Sequence, residues 1–147
     1  PVRVKSYLEK LSGPLLDRID LRVEVPSVSA SDLIRPSAGE TSDVIAKRVA
    51  GARKLQFDRY SAMGLSDTTN AQVSNTVIEK AAVPDVAGQA LLEEAANSLK
   101  FSARGFHRVM KVARTLADLD GERTVGRIHL AEAISYRMAG ERLAVAA

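Results

Sequence analysis

The residues from Ser102 to Leu119 have the clearest periodic pattern in the chain. Apolar residues recur there every three or four positions, as they do on one face of an α-helix. On a helical wheel they form a single arc of Phe106, Val109, Met110, Ala113, Leu116 and Ala117. The opposite side carries Arg104, His107, Arg108 and Lys111. This separation predicts an amphipathic helix that buries one side against other helices.

The composition favours helices over a sheet. Of the 147 residues, 46% are apolar, only 4% are aromatic, and Trp is absent. A core made from such residues is aliphatic and rich in Ala, the residue with the highest helix propensity. The sequence therefore predicts a mainly α fold, a helical bundle.

Capping residues and apolar spacing place the other helices. One helix, capped by Thr41 or Ser42, is predicted to reach about residue 60. Its apolar face consists of Ile45, Val49, Ala52 and Leu55. The last helix is predicted over about residues 127–143, with a buried face of Leu130, Ala131, Ile134 and Met138.

Between these two helices, Ser74 is predicted to cap a short helix that extends to Ala81, and Pro84 with Asp85 to start the next. The face of that helix comprises Leu91, Leu92, Ala95 and Leu99. Ser102 caps the amphipathic helix described above, which ends where Gly121 can adopt a left-handed conformation.

The first 40 residues have a different character. They are predicted to form a helix around residues 4–11, a helical turn at 15–19 and a strand at 21–25, followed by a linker at 26–41. No other segment alternates like that strand, and the chain begins with Pro1 rather than Met. We therefore expect a piece of a longer protein, in which residues 1–40 are poorly ordered in isolation and residues 41–147 form a helical domain.

The net positive charge of the chain lies in its C-terminal third, where residues 100–147 contain nine Lys and Arg against five acids. Arg104 lies in the first turn of its helix, where the positive end of the helix dipole disfavours a cation. The same turn presents backbone N–H groups that suit an anion, so Arg104 and Arg108 are candidates for binding a phosphate. Asp118 and Asp120, at the other end, also carry the sign that the dipole disfavours.

Several functions are disfavoured by what the sequence lacks. It contains no Cys, no GxxxxGK[ST] loop, no GxGxxG, no GxSxG and no HExxH, so we expect no catalysis by this chain alone. His107 is expected to be a solvated side chain and His129 a local cap or a packing residue, and no metal site is predicted. No apolar run approaches the length of a membrane span and there is no signal-peptide pattern, so we expect a cytoplasmic protein.

Four segments of the sequence resemble a known family. They are LSGPLLDRIDL at 11–21, NAQVS at 70–74, FSARGFHRVMKVARTLADL at 101–119 and HLAEA at 129–133. In this order they are similar to the C-terminal part of the magnesium-chelatase-like AAA+ ATPases of the ComM and YifB group. The resemblance implies that residues 1–40 are the C-terminal edge of an α/β ATPase core with its linker, and that residues 41–147 are the helical lid.

The resemblance also implies roles for two arginines. Arg18 matches the arginine finger, which reaches the ATP site of a neighbouring subunit, and Arg104 matches the sensor 2 arginine, which contacts the γ-phosphate from the lid. The full-length protein would then be a homo-oligomeric ring that uses ATP and Mg, and it would remodel DNA, as family members linked to competence and recombination do. The segments with the Walker motifs would precede this chain, which is expected to bind none of these cofactors itself.

Three alternatives remain open. The chain could be a stand-alone helical module that binds nucleic acid through a cationic stripe, in which Lys111 and Arg114 contact phosphates together with Arg104, Arg108, Arg123 and Arg127. It could be part of a magnesium chelatase subunit, which drives insertion of the metal into a porphyrin. It could also be a helical adaptor for another protein.

Overall fold

A computed structural model describes residues 18–28, 39–66 and 68–145, together with residues 15, 30 and 34; from residue 139 onward only the backbone is described. Between residues 39 and 145, Asp67 excepted, the chain forms five helices: α1 (Ser42–Ala62), α2 (Asn75–Ala81), α3 (Val86–Ser98), α4 (Ala103–Leu119) and α5 (Arg127–Val145). The mainly α prediction is confirmed. In the described part of the chain, no helix is both long and apolar enough to cross a membrane.

The ends of α2, α3 and α4 follow the local chemistry of the sequence. Each begins after a residue whose side-chain oxygen accepts a backbone N–H from the first turn: Ser74 from Val77 at 3.4 Å, Asp85 from Gly88 at 2.6 Å, and Ser102 from Gly105 at 3.1 Å. After α4, Gly121 adopts a φ of 75°, the left-handed conformation expected there. These predicted boundaries are confirmed.

The core lies around α4, which packs against α1, α2 and α5, while α3 packs on α5. The α3–α5 contact is tight, since a Cβ on Gly88 would come within 2.9 Å of Leu130 Cδ1. Aliphatic side chains fill most of the interior, as the composition predicted: Val73, Ile78, Ala82, Leu92, Ala95, Val109, Met110, Ala113, Ala117, Val125, Leu130, Ala133 and Ile134, together with Tyr60.

The apolar face predicted for α1 is only partly right. Ala52 is buried, but Ile45, Val49 and Leu55 are about two-fifths exposed, and the buried positions after Ala52 are Gln56 and Tyr60. Residues 42–51 of α1 are exposed throughout, so this half of the helix extends past the bundle. Ile45 and Val49 continue the buried stripe into a region where no described residue covers them, whereas Leu55 lies beside the stripe.

The face predicted for α5 needs one correction. Leu130 and Ile134 are buried and Met138 packs against the core, but Ala131 is exposed and Ala133 takes the inner position. The prediction chose the wrong one of two small residues because both border the stripe that Leu130 and Ile134 define.

The strand predicted over residues 21–25 does not form in this chain, where it was expected to be poorly ordered. Residues 21–28 have no regular secondary structure, and Arg22 N–H donates to Tyr136 O on α5 at 3.1 Å instead of to a strand. An alternating sequence forms a strand only where a neighbouring strand accepts its hydrogen bonds, and here α5 supplies the acceptor. The helix predicted around residues 4–11 lies outside the described residues.

Candidate functional site

The N-terminal half of α4 borders an open cleft. The cleft has a volume of about 360 Å³ and is lined by Asp20, Ala71, Asn75, Ala103, Arg104, His107, Arg108 and Lys111. Helix α4 contributes five of these residues, and the first residue of α2, the loop before it and the segment around Asp20 form the other walls. Three Lys and Arg side chains against one carboxylate make the lining suitable for an anion.

Arg104 is the exposed cation of this cleft. It lies in the first turn of α4, as predicted, and no described residue forms an ion pair with it. The next residue, Gly105, is closely covered by Arg137, since a Cβ there would come within 2.8 Å of the Arg137 guanidinium. The first turn of α4 therefore carries the guanidinium of Arg104 and lies beside that of Arg137, although the helix dipole disfavours cations there.

Arg108 and Lys111 are less available for binding a phosphate than the sequence suggested. Arg108 forms an ion pair with Asp20. Lys111 Nζ donates to Ala71 O at 3.0 Å and to Val73 O at 2.7 Å, and burial lowers the pKa of Lys111 below its ordinary value. A phosphate that bound to these two residues would have to compete with partners already in place.

The assignment of Arg114 to nucleic-acid binding is wrong. Arg114 is 1% exposed. Its guanidinium donates to Asp118 Oδ1 at 3.1 Å, to Arg123 O at 2.7 Å and to Glu122 O. A side chain that is buried and paired in this way cannot reach a phosphate outside the protein.

Arg18 lies in an exposed turn, where its N–H donates to Leu15 O at 3.0 Å. The nearby carboxylate of Asp20 pairs with Arg108 on α4. Arg18 and Asp20 are two positions apart in the chain, so the Arg18 Cα is within about 7 Å of the Cα of a residue that lines the cleft. Arg18 thus belongs to the same surface region as Arg104.

His107 is not the solvated side chain that we expected. Its Nε2 lies 2.7 Å from Glu79 Oε1 on α2 and its Nδ1 lies 2.6 Å from Ala103 O, so the ring links α4 to α2. His129 does act locally, since its Nδ1 accepts Gly126 N–H at 2.9 Å and its Nε2 lies 3.1 Å from Asp120. Among the described residues, no three His, Asp or Glu side chains are grouped so that they could hold a metal ion.

The C-terminal half of α4 contains a buried polar network that sequence reasoning missed. Asp118 is fully buried and pairs with Arg59 on α1 and with Arg114 one turn earlier on α4. Burial opposes the charge of Arg59, but the contacts with Asp118 raise its pKa above the ordinary value; burial lowers that of Arg114. One carboxylate thus pairs with two guanidinium groups, so the cluster keeps a net positive charge.

Asn70 connects this network to the rest of the bundle. Its side-chain oxygen accepts from Tyr60 Oη at 2.6 Å, and its Nδ2 donates to Thr115 Oγ1 at 3.0 Å and to Asp118 Oδ2 at 2.8 Å. The sequence did hold one indication of this network. Asp118 lies at the end of α4 where the helix dipole disfavours an acid, so a cationic partner is expected there.

Comparisons with known proteins agree with this fold. A family model described as the C-terminal part of the magnesium chelatase subunit ChlI matches residues 39–137, and a model of the same subunit matches residues 1–33. The chain is 38% identical over 138 residues to the competence protein ComM of Haemophilus influenzae, and 36% identical over 138 residues to the uncharacterised protein YifB of Escherichia coli.

Each of these two alignments covers 93% of this chain and 26% of the relative. The chain therefore spans about a quarter of the length of the curated relatives that it matches. The matches confirm the resemblance found in the sequence, and one family model covers more than half of the chain. The chain thus belongs to the magnesium-chelatase-like family of AAA+ ATPases, with the ComM and YifB proteins among its relatives.

Proposed function

We propose that residues 41–147 are the lid of a ring-forming AAA+ ATPase, and that Arg104 is its sensor 2 arginine. The observation that carries this proposal is the exposed Arg104 side chain, which lacks an ion-pair partner among the described residues and lies beside an open cationic cleft. Such a guanidinium fits a phosphate whose charge changes when ATP is hydrolysed. ATP and Mg would be bound mainly by the core of the full-length protein, and the lid would transmit the nucleotide state to the ring.

Arg104→Ala in the full-length protein tests this assignment. We expect ATP hydrolysis to fall by at least about tenfold, because the lost group stabilises charge on the transferred phosphoryl group. Arg123→Ala, a change of a second exposed arginine on the loop between α4 and α5, is the matched control and should leave hydrolysis within about twofold of wild type. Equal rates for the two variants would reject the assignment of Arg104.

For Arg18 we propose the role of an arginine finger that acts on the ATP site of the neighbouring subunit. Its exposed turn supports this proposal, since a finger must reach from the surface of its own subunit into the ATP site of the next. Arg18→Ala in the full-length protein should leave ATP binding unchanged while hydrolysis falls by about a thousandfold, or about 4 kcal/mol of transition-state stabilisation.

Mixed rings show whether the finger acts in trans. Subunits with Arg18→Ala are combined with subunits that lack the Walker lysine, neither of which is expected to hydrolyse ATP alone. In mixed rings a wild-type finger can face an intact ATP site, so part of the activity should return. If mixed rings form and stay inactive, Arg18 is not a finger that acts in trans.

DNA is the remodelling substrate that we propose. The competence protein among the relatives supports a DNA substrate over a porphyrin, the substrate in the magnesium chelatase alternative. Stimulation of ATP hydrolysis by DNA, measured on the full-length protein, tests the proposal; an unchanged rate with single-stranded, double-stranded and branched DNA would reject it.

The stand-alone nucleic-acid module is less well supported. Of its six proposed cations, Arg114 is buried, Arg108 is paired with Asp20, and Lys111 donates to two backbone carbonyls. Three exposed arginines remain, Arg104, Arg123 and Arg127. They are too few for the several phosphate contacts that binding at moderate salt needs.

A further inference from the structure

The segment around Asp20 is attached to α4 and α5 by contacts of three kinds. Asp20 forms an ion pair with Arg108 on α4. On α5, Tyr136 O accepts Arg22 N–H at 3.1 Å, and Arg137 O accepts from the Arg22 guanidinium at 3.2 Å. Leu21, between Asp20 and Arg22 in the chain, lines an apolar cleft of about 330 Å³ together with Leu116 and other side chains of α4.

These contacts join two parts of the chain that match separate family models. The segment lies within the match at residues 1–33, whereas α4 and α5 lie within the match at residues 39–137. Asp20 is two residues from Arg18, and Arg108 is one helical turn from Arg104. The ion pair between Asp20 and Arg108 therefore connects the turn that carries Arg18 with the helix that carries Arg104.

We infer that Asp20 is a positioning residue that fixes the Arg18 turn to α4, with Arg22 as its second attachment. This inference rests on the proposed roles of Arg18 and Arg104. A shift of α4 that accompanies a change of nucleotide at Arg104 would then move Arg18 as well, and so affect hydrolysis in the neighbouring subunit. The Asp20 and Arg108 side chains are 42% and 29% exposed, so the ion pair can break and re-form without unfolding the bundle.

The first measurement is amide hydrogen exchange on the full-length protein. Asp20→Asn removes the charge and retains the shape of the side chain. We expect the protection of the Arg22 amide to fall by about fivefold, while protection in the core of α4 and α5 stays unchanged. Asp20→Glu, which keeps the charge, should retain most of the protection.

The second measurement is ATP hydrolysis by the same variants. If Asp20 acts by holding Arg18 in place, Asp20→Asn should lower kcat by about fivefold and leave KM for ATP unchanged, and Asp20→Glu should restore kcat. Asp58→Asn is the matched control, because it breaks another exposed ion pair, between Lys54 Nζ and Asp58 Oδ2 at 3.0 Å on α1. The control should leave kcat, KM and the exchange of Arg22 unchanged.

The outcomes separate this inference from the proposed function. If Asp20→Asn leaves the exchange of Arg22 unchanged, the attachment is wrong, whatever the protein hydrolyses. If exchange rises and kcat does not fall, while Arg18→Ala does abolish hydrolysis, the contact is structural and Asp20 does not position the finger. If Arg18→Ala has no effect on hydrolysis, the proposed finger fails instead.

Discussion

The two halves of α4 use the same kinds of residue in opposite ways. In the C-terminal half, Arg114 is 1% exposed and is held by Asp118 and two backbone carbonyls. In the N-terminal half, Arg104 is exposed beside a cleft and has no ion-pair partner in the described part of the chain. Both ends of the helix carry charges that the dipole disfavours. Asp118 has cationic partners inside the protein, whereas no described residue forms an ion pair with Arg104, which fits the nucleotide-binding role proposed for it.

The strongest test of this comparison is Asp118→Asn. The substitution keeps the size of the side chain but removes the charge that Arg59 and Arg114 share inside the protein. We expect the free energy of unfolding of the 147-residue chain to fall by about 3–5 kcal/mol, because a buried charge without its counter-ion is costly. Urea unfolding followed by circular dichroism measures the loss.

The control for this prediction is Asp58→Asn, which removes an exposed acid from α1. Its ion pair with Lys54 is open to solvent, so stability should change by less than about 0.5 kcal/mol. A loss of under about 1 kcal/mol for Asp118→Asn would show that the C-terminal half of α4 does not depend on its buried charges.

Asn70→Ala should have the next largest effect. Asn70 contacts Tyr60, Thr115 and Asp118, so its loss leaves several buried polar atoms short of partners. We expect a loss of about 2–3 kcal/mol in the same urea experiment. Asn75→Ala, at the exposed first position of α2, is the matched control; equal losses for both variants would mean that Asn70 is not a centre of the network.

Local features of the structure could be predicted from the sequence, whereas the buried network in the C-terminal half of α4 could not. The starts of α2, α3 and α4 could be predicted because each depends on one side chain and an N–H three residues later. The inner side of α4 could be predicted because the periodicity of apolar residues is a property of the helix itself.

The buried network could not be predicted in the same way. Asn70 and Asp118 are 48 positions apart, and nothing local shows that they meet. Charged residues are ordinarily exposed, so Arg114 was assigned to the surface along with its neighbours. The exposed half of α1 could not be predicted for a different reason: an apolar stripe indicates which side of a helix can be buried but not how much of its length is covered.

The pH dependence of the free energy of unfolding tests whether Tyr60 of the network is buried, and the effect expected is smaller than the two above. Burial raises the pKa of Tyr60 above its ordinary value of 10.0. Because the folded protein holds this proton more tightly than the unfolded chain, the associated stability is complete below about pH 10 and is lost as the pH rises through the higher, folded-state pKa.

Tyr60→Phe isolates this contribution. At pH 7 the variant should be less stable than wild type by about 1 kcal/mol, because it lacks the hydrogen bond to Asn70. The difference should shrink as the pH rises above 10, since only wild type has a buried phenol to ionise. A difference that stays constant from pH 7 to pH 11 would contradict the burial of an ionisable Tyr60.

The smallest effect on stability is expected for Arg104→Ala, and this makes it the sharpest test of the other half of α4. The side chain is exposed in a first turn whose dipole disfavours it, so its removal should leave the free energy of unfolding unchanged or raise it by up to about 0.5 kcal/mol. Unchanged stability combined with lost ATP hydrolysis in the full-length protein would show that Arg104 acts on the nucleotide and does not stabilise the fold. A loss of stability above about 2 kcal/mol would instead make Arg104 a structural residue like Arg114, and the contrast between the two ends of the helix would disappear.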